Sequence, residues 1–245
     1  MAKIAVVTGA GSGVGRAVVI ELAKRGFDIA LIGRREEQLK ETIALLDSRQ
    51  RKLAVPCNIA DPADVERMAQ RVRSELGDPT VLVNSAGTNV ARRSLAELSV
   101  EDYRQVIDIN LNGAFYVTHA FLPGMRKQSG GAGAGGGGTI VHVISDAGLT
   151  ANRVSGVAYI ASKFGLAGLT ATINVEERNN GVRATAILPG EINTPLLDRR
   201  PNPPPLEART KMLQAEDVAA CVMLAIDLPE RAVVEQLLVR PRETR

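Results

Sequence analysis

"TGAGSGVG" (residues 8–15) sets four glycines, at 9, 11, 13 and 15, between two segments of different pattern. Before it, "KIAVVTG" (3–9) is a short β-branched run of the kind that forms a buried strand. After it, "VGRAVVIELAKRG" (14–26) carries apolar residues at helical spacing and ends on a glycine. Glycines at such a junction permit a tight turn and let another group approach the backbone closely. The helix that follows offers unpaired N–H groups and the positive end of its dipole to a phosphate. Spaced glycines alone are weak evidence. Their position between a strand and a helix at the start of the chain makes Thr8, Gly9, Gly11, Ser12, Gly13, Val14 and Gly15 candidates for binding a dinucleotide.

The alternation continues outward from this turn. Strand-like runs fall at 28–34, 52–59, 80–87, 139–145 and 183–189, with a seventh at 234–240. Helical patterns lie between them at 36–48, 62–77, 99–127, 155–180 and 215–227. Pro62 after Asp61 is a helix-start signal. Continuous apolar strands alternating with helices predict an α/β fold, a Rossmann-like doubly wound parallel sheet of about seven strands with helices on both faces. We expect one domain over 1–245. The glycine-rich 128–138 is expected as a surface loop, because strand-helix alternation resumes beyond it.

The chain has 245 residues, 45% hydrophobic and 23% charged, a globular composition with no apolar run of membrane-spanning length. The opening "MAKIAVVTGA" reads as the first strand and not as a signal peptide. The net charge of +3 comes from scattered cations, with short pairs at Arg34-Arg35, Arg92-Arg93 and Arg199-Arg200. No basic helix or aromatic-basic ladder points to nucleic acid. Cys57 and Cys221 match no metal or redox spacing and read as buried free thiols of a reducing cytosol. His119 and His142 read as packed structural residues, and no metal site is expected.

"GVAYIASKFGL" (156–166) holds one of the chain's three tyrosines. Residues i and i+4 share a helix face, so Tyr159 and Lys163 point the same way. A free phenol is a poor acid or base at neutral pH, and a nearby ammonium favours its ionised form. The pattern Y-x-x-x-K is loose on its own. It gains weight from Asn110 in "DINLNG", Ser145 in "VISDAG", the segment "NSAG" (84–87) and "PGEINT" (189–194).

In this order the six pieces resemble the short-chain dehydrogenase/reductase family over nearly the whole chain. The resemblance implies an oxidoreductase that moves a hydride between a nicotinamide cofactor and a secondary alcohol or carbonyl. Tyr159 would be its general acid and base, and Lys163 would hold the nicotinamide ribose and lower the tyrosine pKa. Ser145 would bind the substrate oxygen, and Asn110 would interrupt its helix and hold a water in a proton relay. Asn58, Ile59, Asn84, Ala86 and Gly87 would line the cofactor crevice. Pro189, Gly190, Ile192 and Thr194 would close over the nicotinamide. The resemblance also implies homodimers or homotetramers built on the helices at 99–127 and 155–180. No membrane or nucleic-acid partner is expected.

Arg34 and Arg35 stand where an acidic residue would hold the ribose 2′-hydroxyl of NAD, so the expected cofactor is NADP. The proline-rich 195–212 is expected as a substrate lid. Its Arg199 and Arg200 could attract an acidic substrate, but solvated surface residues are the default reading. Three departures stand out. Asn58 replaces the family's usual aspartate, Ser85 replaces a second asparagine, and Ser145 precedes Tyr159 by one position more than is common. Asp146 is expected as a turn residue facing water. The C-terminus resembles the branch acting on 3-hydroxy acids and assorted small carbonyls, and it lacks the Gly-Gly ending common in acyl-carrier reductases. A 3-oxoacyl-thioester reductase is therefore the second enzymatic reading, and a catalytically silent NADP-binding regulator is the alternative outside enzymes.

Overall fold

Every residue of strand β1 (Ile4–Thr8) is buried. Its side chains alternate between two cores, Ala5 and Val7 on one face and Ile4 and Val6 on the other. That is the physical meaning of the unbroken apolar run: a strand covered on both sides has no polar face. In the computed structural model, which describes residues 3–47, 49–128 and 137–242, β1 lies near the middle of one seven-stranded sheet. The others are β2 (Asp28–Gly33), β3 (Lys52–Pro56), β4 (Val81–Asn84), β5 (Thr139–Val143), β6 (Arg183–Pro189) and β7 (Gln236–Val239). The order is β3-β2-β1-β4-β5-β6-β7, and every pairing is parallel.

Helices α1 (Gly13–Lys24) and α8 (Ala215–Asp227) pack on one face through Val18, Leu22, Val222 and Met223. Helix α2 (Glu36–Ala44) joins that face through Leu39. The opposite face carries α3 (Pro62–Glu75) and α5 (Gly113–Gln128), represented by Met68, Val72, Phe121 and Met125, and α6 (Val157–Glu177) through Ile173. Asp61 caps α3 by accepting from the Ala63 amide, ahead of Pro62, as its sequence signal predicts. Between β1 and β4 the winding reverses, and the ends of those two strands leave a crevice where such folds bind ligands.

Some expected boundaries shift. Strand β3 stops at Pro56 and α2 stops at Ala44. The long helix expected at 99–127 is two helices, α4 (Val100–Ile107) and α5, joined by a π-helical turn at Asp108–Asn112. Of the glycine-rich 128–138, residues 129–136 lie outside the described residues. The segment 195–212, expected as a lid, contains a 3₁₀ turn at Pro195–Arg199 and the short helix α7 (Leu206–Arg209).

Two readings of single side chains need correcting. His142 is fully buried, but His119 is exposed on α5, where its ring lies 5.7 Å from that of Phe115. Cys57 is buried and Cys221 only partly so. Both misreadings have one cause: an apolar stretch of helix still has a solvent side. No helix among the described residues is long and apolar enough to cross a membrane.

Candidate active site

The turn after β1 is as tight as its glycines suggest. Gly9 and Gly13 have φ of 69° and 50°, and a Cβ on Gly15 would lie 2.3 Å from the Gly9 carbonyl oxygen. Ser12 caps α1 in position only, since its side chain makes no capping bond and the first N–H groups face the crevice unclaimed by it. The turn is braced from behind. Arg16 Nη2 donates to the Gly11 carbonyl at 2.5 Å, and Thr42 Oγ1 donates to the Ala10 carbonyl at 3.0 Å.

Thr8 and Asn84 do not line the crevice as expected. Both are buried behind its wall. Thr8 Oγ1 accepts from the Ser85 and Ala86 amides at 3.1 and 3.2 Å, and Asn84 Nδ2 donates to Thr118 Oγ1 at 3.2 Å. They pin the ends of β1 and β4 together and so present Ser85, Ala86 and Gly87 to the cleft.

That cleft has a volume of about 610 Å³ and runs from the glycine turn to the tyrosine. At one end stand Arg34, Arg35, Cys57, Asn58 and Ile59. Both arginines are exposed, and no ion pair among the described residues engages either. The first carboxylates after β2, Glu36 and Glu37, are held by Lys40 at 3.1 and 3.3 Å. Asn58 turns its Oδ1 to the Ala60 amide at 3.3 Å. Burial, with Asp64 and Asp61 nearby, pushes the Cys57 thiol up to about 12, so it is an inert lining group.

At the other end α6 delivers Tyr159 and Lys163 to the cleft wall, and the end of β5 delivers Ser145. Lys163 Nζ lies 5.4 Å from the centroid of the Tyr159 ring and donates to the Val143 carbonyl at 3.4 Å. Burial lowers Lys163 to about 8. Burial also raises the Tyr159 phenol above its ordinary value; a hydrogen bond with Ser145 works against this, Asp146 with it, and Arg200 and Arg93 again against it. Arg200 and Arg93 are thus cations that favour the ionised phenol, beside the Lys163 ammonium 5.4 Å from its ring centroid.

Asn110 sits in the π turn, fully buried. Its Oδ1 accepts from the Thr88 amide at 2.7 Å, and its Nδ2 donates to the Thr88 carbonyl at 2.9 Å and to Ser162 Oγ at 3.1 Å. Asn110 thus interrupts its helix as expected, and its side chain braces α6 against the loop after β4.

Pro189, Gly190, Ile192 and Thr194 line the cleft after β6, and Thr194 packs over Gly13. Arg199 and Arg200 are engaged and not merely solvated. Arg199 Nη1 donates to Thr88 Oγ1 at 2.7 Å, and Arg200 pairs with Glu191 at 2.7 Å. Asp146 lies on the cleft and not simply in water, paired with Arg240 at 3.5 Å. Sequence reasoning missed Thr88 and Arg93, both buried and both facing the tyrosine end. Thr88 had one signal, its place directly after "NSAG".

A phosphate-seeking turn at the switch point of a parallel sheet, sharing one cleft with a tyrosine, a lysine and a serine, defines a nicotinamide-dependent oxidoreductase architecture. The chain belongs to the short-chain dehydrogenase family, oxidoreductases acting on CH–OH groups: the sequence model of that family matches residues 3–205. Among curated relatives, an uncharacterised oxidoreductase of Staphylococcus saprophyticus is 32% identical over 98% of this chain and 97% of its own length. The alcohol dehydrogenase of the archaeon Thermococcus sibiricus, solved with 5-hydroxy-NADP, superposes with a TM-score of 0.86 at 26% identity, covering 100% of this chain and 99% of that one. The closed form of a serine dehydrogenase with NADP+ gives 0.86 at 27% identity over 97% and 94%.

Proposed function

We propose that this chain is an NADP-dependent oxidoreductase interconverting a secondary alcohol and a ketone, with Tyr159 as its general acid and base. The observation that carries the reading is the placement of the Tyr159 phenol, beside Ser145 and Lys163, on the same cleft as the glycine turn. The cofactor fits the residues present. Gly9, Gly11, Gly13 and Gly15 line the cleft in a turn packed too tightly to admit a Cβ at Gly15, and the N-terminus of α1 follows directly, the backbone arrangement that receives a phosphate. Arg34 and Arg35 would hold a 2′-phosphate, which supports NADP over NAD. When bound, the nicotinamide supplies or accepts the hydride.

The chain's own residues do the rest. Ser145 donates to the substrate oxygen and stabilises the charge that develops there. Tyr159, whose phenol burial keeps protonated, gives its proton to that oxygen during reduction. Lys163 holds the nicotinamide ribose and adds positive charge as the phenolate forms. Asn110, through Thr88 and Ser162, fixes the spacing between α6 and the loop after β4. The segment 195–212 acts as the lid. Val100, Tyr103, Phe115, Phe164 and Val175, apolar and exposed on α4, α5 and α6, are the faces on which homodimers or homotetramers would form.

The test is a panel of ketones and alcohols with both cofactors. Tyr159→Phe should lower turnover at least a thousandfold while NADPH fluorescence quenching persists. Undiminished turnover in that variant refutes the role, and binding without turnover of any compound points to the silent regulator.

A further inference from the structure

Arg92 and Arg93 are neighbours in sequence and opposites in structure. Arg92 is exposed, whereas Arg93 is 8% exposed and lines the tyrosine end of the cleft. Its Nη1 donates to the Val154 carbonyl at 3.2 Å and its Nη2 to the Arg199 carbonyl at 2.9 Å. Its Nε is buried with no hydrogen-bond partner. No carboxylate among the described residues pairs with it. The acids nearby are committed elsewhere, Glu191 to Arg200 at 2.7 Å and Asp146 to Arg240 at 3.5 Å.

A buried guanidinium lacking both a counter-ion and a full set of acceptors is costly to keep. The same chain shows how a structural arginine is satisfied. Arg183 donates from Nε to Thr139 Oγ1, from Nη1 to the Pro229 and Ala232 carbonyls, and from Nη2 to the Ile226 and Leu228 carbonyls. Every N–H of that fork has a partner. Arg93 is built differently. Burial first, and then the charge of Arg200, work against its cation, and negative charge on Tyr159 favours it.

Its position relative to the phenol is fixed. A Cβ on Gly156, three residues before Tyr159, would lie 2.5 Å from the Arg93 carbonyl oxygen and 2.6 Å from the Arg93 Cβ. The Val157 amide donates to that carbonyl at 3.4 Å. Arg93 is thus seated on the first turn of α6.

We propose that Arg93 is the anchor for a carboxylate carried by the substrate, which places the reacting carbon beside Tyr159. The carboxylate takes the unpartnered Nε–H and replaces the Arg199 carbonyl on Nη2, a bidentate fork. A monoanion matches the one positive charge that Arg93 brings to this end of the cleft, since Arg200 is already paired with Glu191. This deepens the reading above and rests on it: the substrates are hydroxy acids or oxo acids, and the lid carbonyl of Arg199 reports whether the anion is seated.

The experiment compares acid and methyl-ester pairs of three- to six-carbon 3-hydroxy compounds with NADP. At least one acid should show kcat/KM tenfold or more above its ester. In Arg93→Met that ratio should fall at least tenfold, and in Arg93→Lys, which keeps the charge but not the fork, it should fall less. An equal loss for acid and ester would make Arg93 purely structural and overturn the proposal, as would esters preferred from the start. A calorimetric titration of the same acids and esters into the Tyr159→Phe protein with NADP needs no turnover. Acid binding that exceeds ester binding and disappears with Arg93→Met sustains the anion site, and no such difference overturns it. Full turnover by Tyr159→Phe would instead strike the parent reading, and the titration would still decide the site. Thermal melts of each variant confirm folding, and should Arg93→Met not fold, the lysine variant and the wild-type ratio carry the decision.

Discussion

At the residue scale, buried polar side chains are informative because their bonds can be followed one by one. Thr170 Oγ1 donates to the Leu166 carbonyl at 2.7 Å, so at 2.8 Å it accepts from His142 Nδ1–H. The other ring nitrogen, Nε2, faces Thr118 Oγ1 at 3.4 Å and accepts from it. The hydrogen-bond network therefore assigns a neutral imidazole, protonated on Nδ1 and accepting on Nε2. Burial first, and Lys163 second, lower its pKa to about 3. The unfolded chain, with a pKa of about 6.5, takes up that proton first as the medium is acidified. Stability should be full above about pH 6.5 and decline as pH falls toward about 3, by up to about 1.4 kcal/mol per pH unit from this group. Urea unfolding across that range should show the decline, and His142→Gln, although less stable at neutral pH, should flatten it. None of this was legible in the sequence, where His142 and His119 sit in similar apolar company. For the same reason Arg93 could not be told from Arg92. Loop residues follow no period, so burial there depends on partners more than a hundred positions away, such as Arg199.

At the element scale the sequence speaks more clearly, because strands and helices impose periods and turns demand particular residues. The glycine turn and the Tyr159–Lys163 face are local statements and could be read directly. The π turn at Asp108–Asn112 was not legible in the apolar period, which one extra helical residue hardly disturbs; only the family resemblance implied an interruption at Asn110. Gly15 tests the turn. An added Cβ would meet backbone, the Gly9 carbonyl oxygen at 2.3 Å, and no rotamer change can relieve that. Gly15→Ala should cost about 1–3 kcal/mol of stability, typical of forced overpacking, and weaken NADPH binding more than tenfold as read by fluorescence quenching. The end of β2 tests cofactor choice. Replacing Arg34 and Arg35 together by alanine should raise the NADPH dissociation constant at least tenfold and leave that of NADH within threefold. Equal losses for both cofactors would show that the arginines do not read the 2′-phosphate.

At the scale of the whole molecule, the last strand completes a site begun at the first. Strand β7 runs beside β6, and the Gly190 amide donates to the Val239 carbonyl at 2.8 Å, which holds the Pro189–Gly190 turn in the cleft wall. Just beyond, Arg240 packs on Gly190 and pairs with Asp146 beside Ser145, at 3.5 Å. Besides the ladder with β6, the approach to β7 is tied down by one side chain on β6. Arg183 gathers the carbonyls of Ile226, Leu228, Pro229 and Ala232, the stretch that ends α8 and leads toward β7. A helix end leaves carbonyls without partners, and here a single guanidinium supplies them. Arg183→Met would strand those carbonyls and free the connection, costing about 3 kcal/mol. The damage should reach the site. Exchange of the Ala186 and Gly190 amides, which donate to Glu235 and Val239, should quicken in hydrogen–deuterium measurements before the sheet centre at β1 and β4 is affected. NADPH affinity should fall several-fold in the same variant, because the Pro189–Gly190 turn loses its support. Unchanged exchange at Gly190 together with lowered stability would show that β7 stays docked without Arg183, and that the C-terminal strand is held by its ladder alone.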